Sequence, residues 1–249
     1  MARPSSPTGP PTESESSKPR SNGAGRAVEG RRRRKAAKLF RFDRSLGARF
    51  VAGADEAGRG SLAGPLVAAA VLIDYARLSL RDRRALGLLD DSKQRSGEER
   101  ERLYPVILRA ATRVSVTARC VRGIDSRGLH VTNLAALART LERVAAAADP
   151  DDLVCLTDGF PVRDCRVEHR AVIDGDARSA AIAAASVIAK VTRDRYMHRA
   201  ADTYPGWDFH TNVGYSTPEH RAAIAANGVS PLHRMSFQSI AYTQLALGS

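Results

Sequence analysis

Two carboxylates stand side by side in an apolar run. Val51–Ala54 leads into Asp55 and Glu56, Gly58-Arg59-Gly60 follows at once, and Leu66–Ile73 resumes the apolar sequence. Successive side chains of a strand point to opposite faces, so a buried strand would send one acid each way. Each then needs a partner or a cation, because burying unpaired charge is costly. A surface turn would explain the charges. It would not explain the apolar flanks, since Asp and Glu are rarely buried alone.

The 249-residue chain carries a formal charge of +12, which points to a polyanionic partner, nucleic acid first and acidic membrane second. Half of that charge is local, since residues 1–36 hold nine Lys/Arg against three Glu. The same segment has five of the twelve prolines and almost no large apolar side chain. Residues 1–38 are therefore expected to form a disordered basic tail, with the folded domain spanning 39–249. The run Arg31–Lys35 would hold phosphates without sequence preference, or simply solubilise the tail.

Three cysteines, with no C-x-x-C spacing, make neither a disulfide framework nor a zinc site. Cys120 and Cys155 lie in apolar surroundings and are expected to be buried thiols. No apolar run is long enough to span a membrane, and the N-terminus has no signal-like apolar core. The expected setting is cytoplasmic.

Along the chain, Phe50–Ala54 and Leu66–Ile73 are predicted strands. Leu78–Leu89 is a predicted helix, and Asp91-Ser92-Lys93 a polar loop. Ser96 with Glu99 forms a capping-box pattern that opens a helix to about Ala110. Arg113–Val121 alternates as a half-exposed strand, and Gly123–His130 is a polar connector. Val131–Ala148 carries Leu134, Leu137, Leu141 and Val144 at helical spacing. Leu153–Thr157 and Val167–Ile173 are further strands. Ser179 to about Ala201, Pro218–Asn227 and Met235–Leu247 are predicted helices. This order defines an α/β layered domain.

Asp55-Glu56, Asp158 and Asp176 all fall at or beside strand ends. If those ends converge, four carboxylates without matching bases require a cation. An all-oxygen set suits Mg²⁺ or Mn²⁺ rather than Zn²⁺. A basic body with an acidic pocket is what metal-assisted phosphodiester cleavage needs. Each acid also has a plainer explanation. Asp158-Gly159 is a common turn pair, Asp176 or Ser179 would serve as a helix N-cap, and Asp194 would pair with Lys190 one turn away.

The motifs carry a resemblance. Asp55-Glu56-Ala57-Gly58-Arg59-Gly60, then Ala63-Gly64-Pro65, Asp91-Ser92-Lys93, Asp158-Gly159, Gly175-Asp176, Ala184–Asp194 and Gly214-Tyr215-Ser216-Thr217 together resemble the bacterial ribonuclease HII family. The resemblance covers about Phe50 to the C-terminus. It implies a ribonuclease H-like fold, a mixed central sheet flanked by helices, with a helical C-terminal extension. It implies hydrolysis of RNA in RNA–DNA hybrids and cleavage 5′ to single ribonucleotides in duplex DNA, leaving 3′-hydroxyl and 5′-phosphate ends. It places the catalytic and metal-binding carboxylates on Asp55, Glu56, Asp158 and Asp176, with two Mg²⁺ or Mn²⁺ ions. Gly58, Arg59, Gly60 and Tyr215 would read the ribose, and Lys93, Ser186 and Lys190 would contact phosphate. A monomer is implied, while a replication-clamp contact is not readable from the sequence.

Two positions depart from the family pattern. Thr211-Asn212-Val213 stands where relatives carry a His-Lys before Gly-Tyr, and Met235 stands where a second Arg is common. A silent nucleic-acid-binding protein is a poor fit to the acidic set. Another nuclease or strand-transfer enzyme on this fold would have no use for the Gly-Arg-Gly segment beside Tyr215.

Overall fold

The computed structural model describes residues 22–89 and 96–237. A five-stranded mixed sheet runs through it in the order β3-β2-β1-β4-β5. The strands are β1 (Phe50–Ala57), β2 (Leu66–Asp74), β3 (Arg113–Arg119), β4 (Leu153–Asp158) and β5 (Arg170–Val172). β2 pairs antiparallel with β1 and β3, whereas β4 is parallel to both β1 and β5. The helices are α1 (Asn22–Ser45), α2 (Leu80–Ala85), α3 (Gly97–Ala110), α4 (Val121–Arg127), α5 (Leu129–Ala145), α6 (Ala180–Thr203), α7 (Phe209–Asn212) and α8 (Pro218–Asn227).

Strand periodicity sorts the core into two layers. Val51, Val67, Ala69, Val71 and Leu156 face α6, with α1 and α3 packed beside it. Phe50, Ala52, Ala54, Ala68, Ala70 and Cys155 face α5 through Leu137, Leu141 and Val144. α6 is the central helix. Every residue from Ala180 to Ala189 is buried, and the alanines let the helix lie close to the sheet. Burial of each larger residue, such as Ile182 or Ile188, contributes roughly 1.5–3 kcal/mol.

One glycine sets that approach. A Cβ on Gly53 would fall on the Ala181–Ile182 peptide, so β1 and α6 touch backbone to backbone there. From this crossing β1 and α6 run on together. Ser186 hydrogen-bonds Asp55, and the Arg193 side chain lies against Gly58.

Several expectations are corrected. Residues 1–21 of the expected disordered tail lie outside the described residues, and from Asn22 the remainder is helical. Ala36, Leu39, Phe40 and Asp43 recur at helical spacing and are buried, a stripe that bulk composition hides. Asp43 then caps α6, its Oδ2 accepting from the Ala181 N–H at 3.0 Å and the Tyr75 hydroxyl at 2.7 Å. Gly123–His130 is no connector. It holds the end of α4 and the start of α5, with Ile124 as buried anchor and Gly128 breaking them at φ 83°. Cys120 is exposed at the N-terminus of α4, while Cys155 is buried. The helix of 78–89 is shorter, ending in a single 3-10 turn at Leu86–Leu88.

β5 keeps only three paired residues, because only Leu156–Asp158 of β4 faces it. Asp55 and Glu56 lie inside β1 rather than after it, paired with Ala69 and Ala68. The capping box of Ser96 and Glu99 and helix α8 are as expected. Residues 235–237 form a turn, and the rest of the helix expected at Met235–Leu247 lies outside the described residues. No helix among the described residues is long and apolar enough to cross a membrane.

Candidate active site

The β1/β4 register pairs Ala54 with Thr157. The next step along these parallel strands sets Asp55 beside Asp158, on the face that α6 covers. Asp55 is buried, and its Oδ1 accepts the Glu56 N–H at 2.7 Å. Burial, then the neighbouring Glu56 charge, pushes its carboxyl up to about 8, with Asp158 adding to the rise. The Ser186 hydroxyl, donating from α6, works the other way.

These acids open onto a cleft of about 400 Å³ lined by Asp55, Glu56, Asp158, Ser186, Lys190, Arg100, Tyr215 and the segment Ala57–Gly60. Arg59 faces it from above Glu56, 3.9 Å from the carboxylate, with its guanidinium 5.0 Å from the Phe160 ring centre. Lys190 is shared. It pairs with Asp194 at 2.8 Å and lies 4.8 Å from the centre of the Tyr215 ring. The plainer explanation of Lys190 and the phosphate-contact one therefore both have a geometric basis.

Asp176 is placed differently. It is buried in the turn Gly175–Ala177, whose Gly175 N–H donates to Asp158 Oδ1 at 2.7 Å. A side chain at Gly175 would press on the end of Ile182 and on the Asp158 carboxylate, so glycine lets this contact form without displacing either. Asp176 thus adjoins Asp158 but is not among the residues lining the cleft. Lys93 lies outside the described residues.

No group of three or more His, Cys, Asp or Glu side chains among the described residues is gathered closely enough to hold a metal ion. The donor set nonetheless suits a hard divalent cation. Three carboxylates share one cleft, and the charges of Glu56 and Asp158 add to burial in raising the Asp55 pKa, a combination that a bound divalent cation would offset.

Two buried arginines that the sequence reading passed over shape the other wall. Arg193 of α6 donates to the carbonyls of Pro65 (3.0 Å), Ala63 (3.0 Å) and Val213 (2.9 Å). Arg234 donates to Gly64 at 3.0 and 2.8 Å and to Arg59 at 3.1 Å. Residues 61–64 also form a backbone bridge to Tyr215 on one side and to His233 on the other. The Gly58–Pro65 loop is thereby clamped beside Tyr215. Arg193 shares a helical face with Ala189 and Met197, four residues to either side, and an isolated glycine within a strand was the signal for Gly53.

The family model described as Ribonuclease HII matches residues 52–240. The curated Ribonuclease HII of Rhizobium johnstonii is 46% identical over 197 residues, 78% of this chain and 80% of that protein. The Salinispora arenicola protein of the same name is 44% identical over 206 residues, 82% and 73% of the two chains. Among solved structures, ribonuclease H2 from Pyrococcus horikoshii aligns with a TM-score of 0.65 at 26% identity, covering 80% of this chain and 98% of that one. A chain of the PCNA–RNase HII complex from Archaeoglobus fulgidus aligns at 0.60 and 29% identity, covering 74% and 92%.

The fold is ribonuclease H-like, and the matching family and relatives make the chain an endonuclease, a hydrolase. Within that class the chain belongs to the ribonuclease HII family.

Proposed function

We propose that the protein is a divalent-metal-dependent endoribonuclease that cuts RNA in RNA–DNA hybrids and incises 5′ to single ribonucleotides in duplex DNA. The observation that carries this reading is the sharing of one cleft by Asp55, Glu56 and Asp158 with Gly58–Gly60 and Tyr215. Acids suited to phosphodiester chemistry and a backbone segment suited to reading a sugar open onto the same space.

Asp55, Glu56 and Asp158, with Asp176 adjoining, would hold Mg²⁺ or Mn²⁺. When bound, the ions would supply Lewis-acid activation of a water and relief of charge on the leaving 3′-oxygen. Ser186 orients the Asp55 carboxylate, and the Gly175 N–H orients that of Asp158. Arg59, Arg100 and Lys190 line the cleft with positive charge that draws the phosphate backbone in. Glycines at 58 and 60 leave the backbone open to approach by a 2′-hydroxyl. The Tyr215 ring would pack on the sugar of the following deoxynucleotide.

A cytoplasmic monomer suits this reading. The Archaeoglobus relative, solved in a complex with PCNA, makes a clamp contact a further part of the proposal.

One assay tests it. Purified protein with Mg²⁺ or Mn²⁺ is given an all-DNA duplex, a duplex with one embedded ribonucleotide, and an RNA–DNA hybrid. Cleavage of the last two alone, and only with metal, is expected. Equal cutting of the all-DNA duplex, or none of any substrate, would overturn the reading.

A further inference from the structure

We propose that His220 and His233 are positioning residues for ribonucleotide discrimination, a tautomer-locked imidazole pair that holds the Tyr215 backbone and so aims its ring into the cleft. The inference rests on the role of Tyr215 proposed above.

Both imidazoles are buried, and both ends of the chain they form are fixed by backbone groups with a single role. The Ser230 N–H donates to His233 Nδ1 at 2.8 Å. That nitrogen must be bare, so a neutral His233 carries its proton on Nε2. His233 Nε2 lies 3.1 Å from His220 Nε2, which must therefore accept. The His220 proton is left on Nδ1, 2.8 Å from the Tyr215 carbonyl, which can only accept. No other arrangement of two neutral rings satisfies both ends. An extra proton on either ring would turn two N–H groups against each other, at the His–His contact or at Ser230.

The Tyr215 backbone needs such a hold. Val213 and Gly214 precede it at φ 42° and 83°, both in the left-handed region, which strains a β-branched valine. Gly214 N–H is taken by Asn212 Oδ1 at 2.7 Å, the Val213 carbonyl by Arg193, and the Tyr215 carbonyl by His220. The Tyr215 N–H donates to the Asn212 carbonyl at 2.9 Å and the Thr217 N–H to the Tyr215 carbonyl at 2.8 Å, and His220 adds a side-chain hold on that same carbonyl.

The surroundings keep the pair neutral. Phe209 packs on both rings and Trp207 on His233. Asp208, between them, favours protonation of His220, while burial opposes it more strongly. Burial and the His220 charge push His233 down to about 4. From the other elements the pair meets Thr217 at the start of α8, Ser230, and the Ala63 backbone bridged to His233. Arg234, next in sequence to His233, turns its guanidinium onto carbonyls of the loop.

Two measurements on the full chain test the proposal. In ¹⁵N-labelled protein at neutral pH, long-range imidazole correlations should show His220 in the Nδ1–H form and His233 in the Nε2–H form. The opposite tautomers, or fast exchange between the two, would overturn the pair. The second measurement compares His220→Asn, whose amide sits near Nδ1 and keeps the donor to Tyr215, with His220→Gln, whose amide sits near Nε2 and loses it.

The readout is the ratio of single-ribonucleotide cleavage to hybrid cleavage. It should fall about tenfold in His220→Gln, as for one lost hydrogen bond, and stay within about threefold of wild type in His220→Asn. Equal ratios in the two variants would overturn the positioning role, and matched thermal midpoints exclude unfolding as the cause of a difference. A wild-type protein that does not cut beside a single ribonucleotide would overturn the functional reading, and the positioning role with it, whatever the tautomers.

Discussion

Arg193 and Arg234 divide the carbonyls of one loop between them: Arg193 takes Ala63 and Pro65, and Arg234 takes Arg59 and Gly64. Both guanidiniums are fully buried, and each donates to backbone oxygens. A buried charge is tolerable here because several carbonyl dipoles turn toward it.

Removing Arg193 should therefore be expensive. Arg193→Ala orphans three carbonyls, each costing about 1–3 kcal/mol when buried and unsatisfied, so a loss of at least about 3 kcal/mol is expected. Urea unfolding measures it. A loss under about 1 kcal/mol would show that the clamp is not rigid in solution.

Gly53→Ala tests the contact between β1 and α6. The new methyl would meet the backbone of Ala181 and Ile182, which cannot step aside as a side chain end does. An overpacking cost of about 1–3 kcal/mol is expected, with turnover falling because Ser186 and Lys190 ride on the displaced helix. A variant as stable and active as wild type would show the helix is free to move.

Asp158→Asn should remove a ligand while sparing the fold, since the amide oxygen still accepts from Gly175. Turnover should fall about 100-fold or more with substrate binding retained. Unchanged turnover would remove Asp158 from the site.

Acid should loosen the protein through the two buried histidines. Burial lowers the pKa of His220, and His233 is pushed down to about 4 from an ordinary 6.5. The unfolded chain then binds more protons than the folded one between those values, so stability falls as pH drops from about 6.5 towards 4. The effect is on the order of 2–3 kcal/mol, read as a shift in urea midpoint that a His220→Gln, His233→Gln double variant should lack. An identical slope in that variant would assign the acid sensitivity elsewhere.

Asp43→Ala should destabilise by about 1–2 kcal/mol, the usual worth of a helix cap. Tyr75→Phe, which removes one of the bonds to Asp43, should cost less. Differential scanning of both variants checks the order, and a larger loss for Tyr75→Phe would contradict the capping role.

The strands that carry the acids were legible because apolar runs bounded by glycine and acid have few alternatives. Asp55, Glu56 and Asp158 came together because parallel register follows from the strands themselves. Asp176 was legible as a motif position, but a one-turn helix has no periodicity to say which way it faces. The start of α1 was hidden because composition averaged it with the Pro- and Ser-rich residues before it. The short helices α4 and α7 were missed for a similar reason: four to seven residues are fewer than two helical turns. Arg193 and Arg234 act on loop carbonyls more than a hundred residues away, and no local pattern announces such contacts; the histidine pair lies close in sequence but joins through a turn rather than a regular element.

Those distances bear on when the enzyme becomes competent during synthesis. The Asp43 cap on α6 closes over 138 residues, and the Arg234 hold on Gly64 closes over 170. Contacts this non-local form late, because the loop must close before they repay it. The acids of β1 leave the ribosome early, yet the loop beside them is fully clamped only after Arg193 and then Arg234 have been made. A nascent chain can thus carry the acids at 55 and 56 before the neighbouring wall of the cleft is held in place.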